Sequence, residues 1–392
     1  MATPPRIALF VGFDARIAGG LITMAAMMRG GLDASGAQVD LFMPAMVAGE
    51  RLVRGVHRVA CGPDTWLAAP TVPRLPNLLA PLLPSLSLAR ALRSYDLVQS
   101  VVGGGAWALP ALGGQRSVAW VATPTEVELR SRFHAHNALQ ALALDGWMRA
   151  ENLVEGAVLK RQDHVLALSQ KTADVLVQLH SIPSERLSRL YPWIDPSRFF
   201  PPATPTDAPV CVTSCRLDDA RKDVPALIRA FRRVVDELPA ARLVLIGSSD
   251  DDGPVRREIA ATALGGSVEL TGWLSADEIG ARLRGASVFA LSSRQEGLGI
   301  VALEAMACGL PVVCFPNGGT DELVERSRAG VLVSGRSEEA LASALLRLFA
   351  SRDERRHMAE AATRFVAAEA SKAAFVARLG EVYARLGVPL AT

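Results

Sequence analysis

Lysine is nearly missing from this chain: four lysines stand against 38 arginines in 392 residues. We attribute the skew mostly to genome composition, but against it a lysine in a loop motif, such as Lys222, stands out. An excess of one charge is also lacking. The formal net charge of +2 is spread along the chain, so there is no electrostatic footprint for nucleic acid, and no nucleic-acid partner is expected. No apolar run approaches the roughly 18 residues of a membrane span. The run at 7–11 that follows Arg6 is short, and reads as a first strand rather than a signal peptide. Cysteines are few and odd in number: Cys61, Cys211, Cys215, Cys308 and Cys314. Four of them lie in or beside apolar strand and helix patterns, which suits reduced core thiols in a cytoplasmic protein. No Cys-x2-Cys or paired-histidine spacing accompanies them, so no metal site is expected. The first strand leads into no Gly-x-Gly-x-x-Gly, which argues against a nicotinamide oxidoreductase.

Half of the residues are apolar, enough for two packed domains. Short apolar runs alternate with longer amphipathic ones, the pattern of α/β layering around parallel sheets. Strands are expected at 7–13, 39–43, 97–102, 117–122 and 165–168 in the first half. In the second half they are expected at 210–214, 243–246, 268–270, 288–291, 312–315 and 331–333. Between the halves, 191–209 carries Pro192, Pro196, Pro201, Pro202, Pro205 and Pro209. So many prolines prevent a helix and favour an extended connector. The tail 353–386 is helical in pattern and is expected to pack back across the first domain. The Leu- and Pro-rich segment 68–92 has two readings. It is either a loop leading into a core helix, or an apolar surface for a hydrophobic acceptor or a shallow membrane contact.

Chemistry concentrates after two strands of the second half. The strand ending near Leu291 runs into Glu296-Gly297-Leu298-Gly299 and then a helix that stops at Gly309. A strand's carboxyl end meeting a helix's amino end is where open α/β sheets bind ligands. Free amides and the helix dipole favour an anion there, and glycines allow close approach. Glu296 sits in the loop, and Glu304 shares a helix face with Ile300 one turn on. One carboxylate can thus accept hydrogen bonds from a sugar's hydroxyls and the other from a nucleotide's ribose. The loop after the strand at 210–214 carries Arg216, Arg221 and Lys222. Preorganised cations stabilise the charge that builds on a departing diphosphate.

With its E-x7-E pair, Gly297, Gly299 and the continuation Glu304-Ala305-Met306-Ala307-Cys308-Gly309-Leu310-Pro311, ending in Gly318-Gly319 with Glu322 after it, the chain resembles glycosyltransferase family 4 (glycosyl transferases group 1). The resemblance covers nearly the full length and is concentrated in 210–335. It implies the B-type glycosyltransferase (GT-B) fold: two Rossmann-like doubly wound α/β domains facing across a cleft. The boundaries expected are an acceptor-binding domain at 1–194, a linker at 195–208, a nucleotide-sugar-binding domain at 209–365, and a C-terminal helical segment at 366–392. It implies Arg216, Lys222 and Glu296 as catalytic residues. For donor binding it implies Gly19, Gly20, Leu274, Gly297, Leu298, Gly299 and Glu304, with Trp273 a weaker candidate for the base. The implied activity is retaining transfer from a nucleotide-diphosphate sugar to an acceptor hydroxyl on a glycan, lipid-linked or small-molecule acceptor, with no metal and no cofactor. Rival readings are an epimerase or phosphorylase on the same scaffold, and a non-catalytic nucleotide-sugar-binding protein.

Departures stand beside the matches. Cys215 replaces a usual glycine, and one extra residue leaves Arg221 a rival for the role of Lys222. Ala122 or Thr123 stands where many relatives carry a histidine that faces the reacting sugar, and His134 and His136 read as solvated loop residues. The loop 103–105 is open between an acceptor-lining role and a flexible turn. An isolated Trp273 reads as core packing rather than a base contact.

Overall fold

The computed structural model describes residues 3–12, 20–45, 57–61, 64–70, 86–132 and 138–391. The chain divides into two compact units, Met1–Pro192 with Lys372–Thr392, and Trp193–Ser371.

The strands of the first unit are β1 (Arg6–Val11), β2 (Gln38–Ala45), β3 (His57–Cys61), β4 (Asp64–Pro70), β5 (Leu97–Val102), β6 (Ser117–Val121), β7 (His164–Ala167) and β8 (Leu187–Arg189). They form one sheet in the order β3-β4-β2-β1-β5-β6-β7-β8, parallel except for the β3–β4 pair. Helices α1 (Gly20–Ala34), α2 (Leu86–Leu92), α3 (Thr125–Arg132), α4 (Ala138–Leu159) and α5 (Gln170–His180) join them. Ile7, Leu9 and Val11 are fully buried and so are Ala8 and Phe10, because a central parallel strand is covered on both faces and needs a continuous apolar run. Every strand expected from the sequence in this half has a counterpart. The β3–β4 hairpin and the three-residue β8 were not expected. Of the 68–92 segment, β4 takes the start and α2 the end. Leu88 and Leu92 of α2 pack with Phe10, Phe42 and Tyr95, which fits a core helix; 71–85 lie outside the described residues.

The second unit has a six-stranded, wholly parallel sheet. Its strands are β9 (Val210–Ser214), β10 (Arg242–Ile246), β11 (Val268–Gly272), β12 (Val288–Leu291), β13 (Val312–Cys314) and β14 (Gly330–Leu332). The spatial order is β11-β10-β9-β12-β13-β14. The chain therefore builds outward from β9, returns to lie beside it as β12, and builds outward the other way. This is the doubly wound order, with its switch point between β9 and β12. Helices α6 (Val224–Glu237), α7 (Pro254–Ala261), α8 (Ala276–Arg284), α9 (Ile300–Ala307), α10 (Thr320–Ser327), α11 (Glu338–Ala350) and α12 (Arg352–Glu369) complete the unit. In α6, Val224, Leu227, Ile228, Phe231 and Val234 are buried at three- and four-residue spacing. Pro225 sits in its first turn, where no amide is needed. Residues 195–208 form no regular element and lie within this unit.

The last helix, α13 (Lys372–Arg385), belongs to the first unit. Phe375 lies against Trp120 with ring centroids 5.7 Å apart. It passes so close to Gly31 of α1 that a Cβ there would lie 2.5 Å from the ring. The Tyr383 hydroxyl donates to Gln99 Oε1 at 2.9 Å, inside β5. A glutamine in the middle of a fully buried strand needs such a partner. Tyr383→Phe is expected to strand that carbonyl oxygen and cost about 1–3 kcal/mol, measurable as a lower denaturant midpoint.

Candidate functional site

The loop 215–223 leaves the carboxyl end of β9, and the loop 292–299 leaves that of β12. The switch point makes these two loops neighbours, and a dense set of bonds joins them. Arg294 N donates to Arg221 O at 2.7 Å, and Ser292 Oγ donates to Lys222 O at 2.9 Å. Arg336, just before α11, donates to Ser292 O at 2.7 Å, Ser293 O at 3.0 Å and Asp223 Oδ2 at 2.7 Å. Its guanidinium lies over the Phe315 ring at 4.7 Å. Arg294 also pairs with Asp223 at 2.8 Å. Nothing in the sequence singled out Arg336, because its partners are two backbone carbonyls and a carboxylate far away in the chain.

Within this frame two of the three expected catalytic residues, Lys222 and Glu296, meet. Lys222 Nζ lies 2.6 Å from Glu296 Oε1, and Ser293 Oγ donates to the same oxygen at 2.6 Å. Arg221, the lysine's rival, turns elsewhere. Its backbone and guanidinium hold Asp219 at 2.7–3.1 Å. Arg216 reaches Asp219 at 2.9 Å and is two-thirds exposed. Burial alone would raise the Asp219 pKa, but the Arg221 hydrogen bonds and the nearby guanidinium charges outweigh it and bring it down to about 2. Asp219 is therefore a fixed anion that holds two arginines at the loop. Cys215 keeps a negative φ, so nothing at that position requires a glycine. Its thiol is pushed up to about 12 by burial, which makes it an inert packing group.

The second loop is braced from behind. Glu296 N donates to Asn317 O at 2.9 Å, and Asn317 Oδ1 accepts from the amides of Gly319 and Thr320 at 3.1 and 2.9 Å. A Cβ on Gly319 would lie 2.6 Å from Leu298 backbone atoms, so only glycine lets the 318–319 turn press on the Gly297–Leu298 backbone. Gly299 has φ +86° and caps α9; a side chain is strained in that left-handed conformation. Ala302 N and Leu303 N already donate to Gly299 O, at 2.8 and 3.4 Å, so only the first amides of α9 lie ahead of the helix's own acceptors. Residues Ala302, Leu303, Ala305 and Met306 of α9 are buried, whereas Ile300, Val301 and Glu304 form its one partly exposed face. Burial pushes the Glu304 carboxyl up to about 7. No hydrogen-bond or ion-pair partner meets it among the described residues.

The remaining candidates are more scattered. Leu274 is half-buried two residues beyond β11, followed by the Ser275–Glu278 capping box of α8. Trp273 is 78% exposed, which corrects the expectation of core packing. The turn at Gly272 (φ +73°) carries it past the edge strand instead of back into the core. In the first unit, Gly20 opens α1, whereas Gly19, His134 and His136 lie outside the described residues. The 103–105 loop is not a free turn. A Cβ on Gly104 would lie 2.1 Å from Thr125 Oγ1, and one on Gly105 2.6 Å from Leu159. Buried Glu155 accepts from Gly105 N, Thr125 N and Thr125 Oγ1 and meets His180 Nε2 at 3.0 Å. It thereby ties the loops after β5 and β6 together. Sequence reading missed it because a lone glutamate in an amphipathic helix looks solvated. Thr123, half-buried, donates its amide to Gly103 O at 3.0 Å.

Among the described residues, no group of three or more His, Cys, Asp or Glu is placed to hold a metal ion. No helix among them is long and apolar enough to cross a membrane.

Comparison with known proteins bears on the fold and the family. Over 204 residues the chain is 32% identical to a GDP-mannose-dependent alpha-(1-6)-phosphatidylinositol monomannoside mannosyltransferase of Mycobacterium tuberculosis, covering 48% of this chain and 53% of that protein. The chain thus spans about half the length of the curated relatives it matches. Among solved structures, sucrose-phosphate synthase from Thermosynechococcus elongatus superposes with a TM-score of 0.76 at 21% identity, over 98% of this chain and 99% of that one. HepE of Anabaena, in complex with UDP, does so with a TM-score of 0.73 at 17% identity, over 97% and 100%. Both likenesses establish the fold, two α/β units of the B-type glycosyltransferase class. Residues 18–198 match the family model described as Glycosyltransferase Family 4, and residues 196–365 the one described as Glycosyl transferases group 1. The chain belongs to this family, the group 1 glycosyl transferases of glycosyltransferase family 4.

Proposed function

We propose that the protein is a retaining glycosyltransferase that moves a sugar from a nucleoside-diphosphate donor to an acceptor hydroxyl. The observation that carries this reading is the meeting of Lys222 and Glu296 at the β9/β12 switch point, beside the amino end of α9. A cation and helix-end amides suit a diphosphate. A carboxylate beside them suits sugar hydroxyls.

In this reading Arg216, Lys222 and the amides of Gly297, Leu298 and Gly299 hold the diphosphate and stabilise it as it departs. Glu304 takes the ribose hydroxyls, and backbone at Leu274 meets the base. Glu296 orients the sugar ring. No side chain is assigned the part of a dedicated nucleophile in this reading. The acceptor hydroxyl then attacks from the leaving-group face, and its proton passes to a departing phosphate oxygen. The cations supply the electrostatic stabilisation that the step needs, so the reading requires no metal. The mannosyltransferase relative, whose name carries both GDP-mannose and a phosphatidylinositol-linked acceptor, supports a GDP-sugar donor and a lipid-linked acceptor.

Arg216→Ala and Lys222→Ala are each expected to lower kcat by roughly 10²–10³-fold, as loss of a preorganised electrostatic donor does. Full activity in both would overturn the mechanism. Glu304 gives a pH signature. Its carboxyl sits near 7, and only the ionised form accepts two hydroxyl bonds, so donor binding favours ionisation. Donor affinity should rise by about tenfold between pH 6 and pH 8 and level off above. Titration calorimetry of Glu304→Gln should show weaker binding with that slope flattened; an unchanged slope removes the ribose assignment.

A further inference from the structure

We infer that Lys222 and Glu296 form an exchange pair through which the site tells a sugar-loaded nucleotide from the spent nucleoside diphosphate. The inference rests on the donor-site reading above. Both residues are mostly buried, with side-chain exposures of 16% and 11%, and their contact is 2.6 Å. Neighbouring cations are already committed to other carboxylates: Arg216 and Arg221 to Asp219, and Arg294 and Arg336 to Asp223. Lys222 is therefore the cation closest to Glu296, and both the Lys222 and Ser293 contacts fall on Oε1, leaving Oε2 for a further donor.

A diphosphate that takes Lys222 must share or remove the ammonium that balances Glu296. If the ammonium bridges the two anions, they stand only ~5–6 Å apart, two hydrogen-bond lengths. Like charges at that range in a recessed site repel. A sugar nucleotide offsets the loss, because its ring hydroxyls donate to the Glu296 carboxylate and its β-phosphate is capped by the glycosidic bond. The spent nucleoside diphosphate has no hydroxyl to offer, and its terminal phosphate carries additional negative charge. Glu296 thus favours the loaded donor and opposes the product, and the Lys222–Glu296 contact re-forms as the product leaves. Discrimination of this kind works through a repulsive element as much as an attractive one.

The test is a calorimetric comparison of GDP with GDP-mannose and of UDP with UDP-glucose, for the wild-type chain and Glu296→Gln. Wild type should bind the sugar nucleotide more tightly than the matching diphosphate. Glu296→Gln should tighten the diphosphate by about tenfold and weaken the sugar nucleotide by a similar factor, reversing the preference. Lys222→Met, measured in parallel, should weaken both ligands and widen the preference for the sugar nucleotide, since the carboxylate then meets the terminal phosphate unscreened. It also keeps the question open to test should the glutamine variant fold poorly. A preference that stays at the wild-type ratio in the variants overturns the inference while leaving the donor site standing. Binding of neither class of ligand by the wild-type chain removes the donor-site reading, and the inference with it.

Discussion

The second unit is organised by one topological constraint, the reversal of strand order between β9 and β12. Chain leaving β9 and chain leaving β12 must diverge to reach strands on opposite sides. The carboxyl ends of two adjacent strands are thereby left uncovered by a crossing connection. Two loops that are 70 or more residues apart in sequence, such as Lys222 and Glu296, become contact neighbours for that reason. The α9 amides, the loop cations and the Glu304 face all owe their convergence to it.

A crevice lined with charge needs its charges held, or they would collapse on one another or unfold the loops. Asp219 and Asp223 perform that task for the cations. Arg336 performs it for the backbone, by joining the β9 loop to the β12 loop through three acceptors. The first unit uses the opposite polarity for the same end. There a buried carboxylate, Glu155, gathers amides from the loops after β5 and β6. In both units a single side chain with several bonds substitutes for regular structure where the chain has none.

The fold was legible in the sequence wherever burial imposed a period. The run at 7–11 and the three- and four-residue spacing of α6 speak for themselves, because a strand covered on both faces and a helix covered on one leave different patterns. The β3–β4 pair did not stand out, since it lies at the edge of the sheet, where β3 needs no continuous apolar run. The prolines of 191–209 pointed to an extended segment, but not that 195–208 would group with the second unit. Trp273 misled for a related reason: residue type predicts burial on average, whereas a left-handed turn at Gly272 decides it here.

Glu296, Gly297, Gly299, Glu304, Arg216 and Lys222 stand out from sequence as candidates because loop and helix-start chemistry is local. What sequence could not decide was which cation meets which anion. Arg221 and Lys222 are adjacent and equally basic, and only the folded loop sends one to Asp219 and the other to Glu296. Likewise Arg336 and Glu155 have no local signature, since every group they bind comes from distant chain. By itself the sequence determined the family and the layer architecture, and it offered the residue types of a candidate site. Tertiary structure decided the pairing of its charges, because Coulomb and hydrogen-bond partners are set by distance in space and not by separation along the chain.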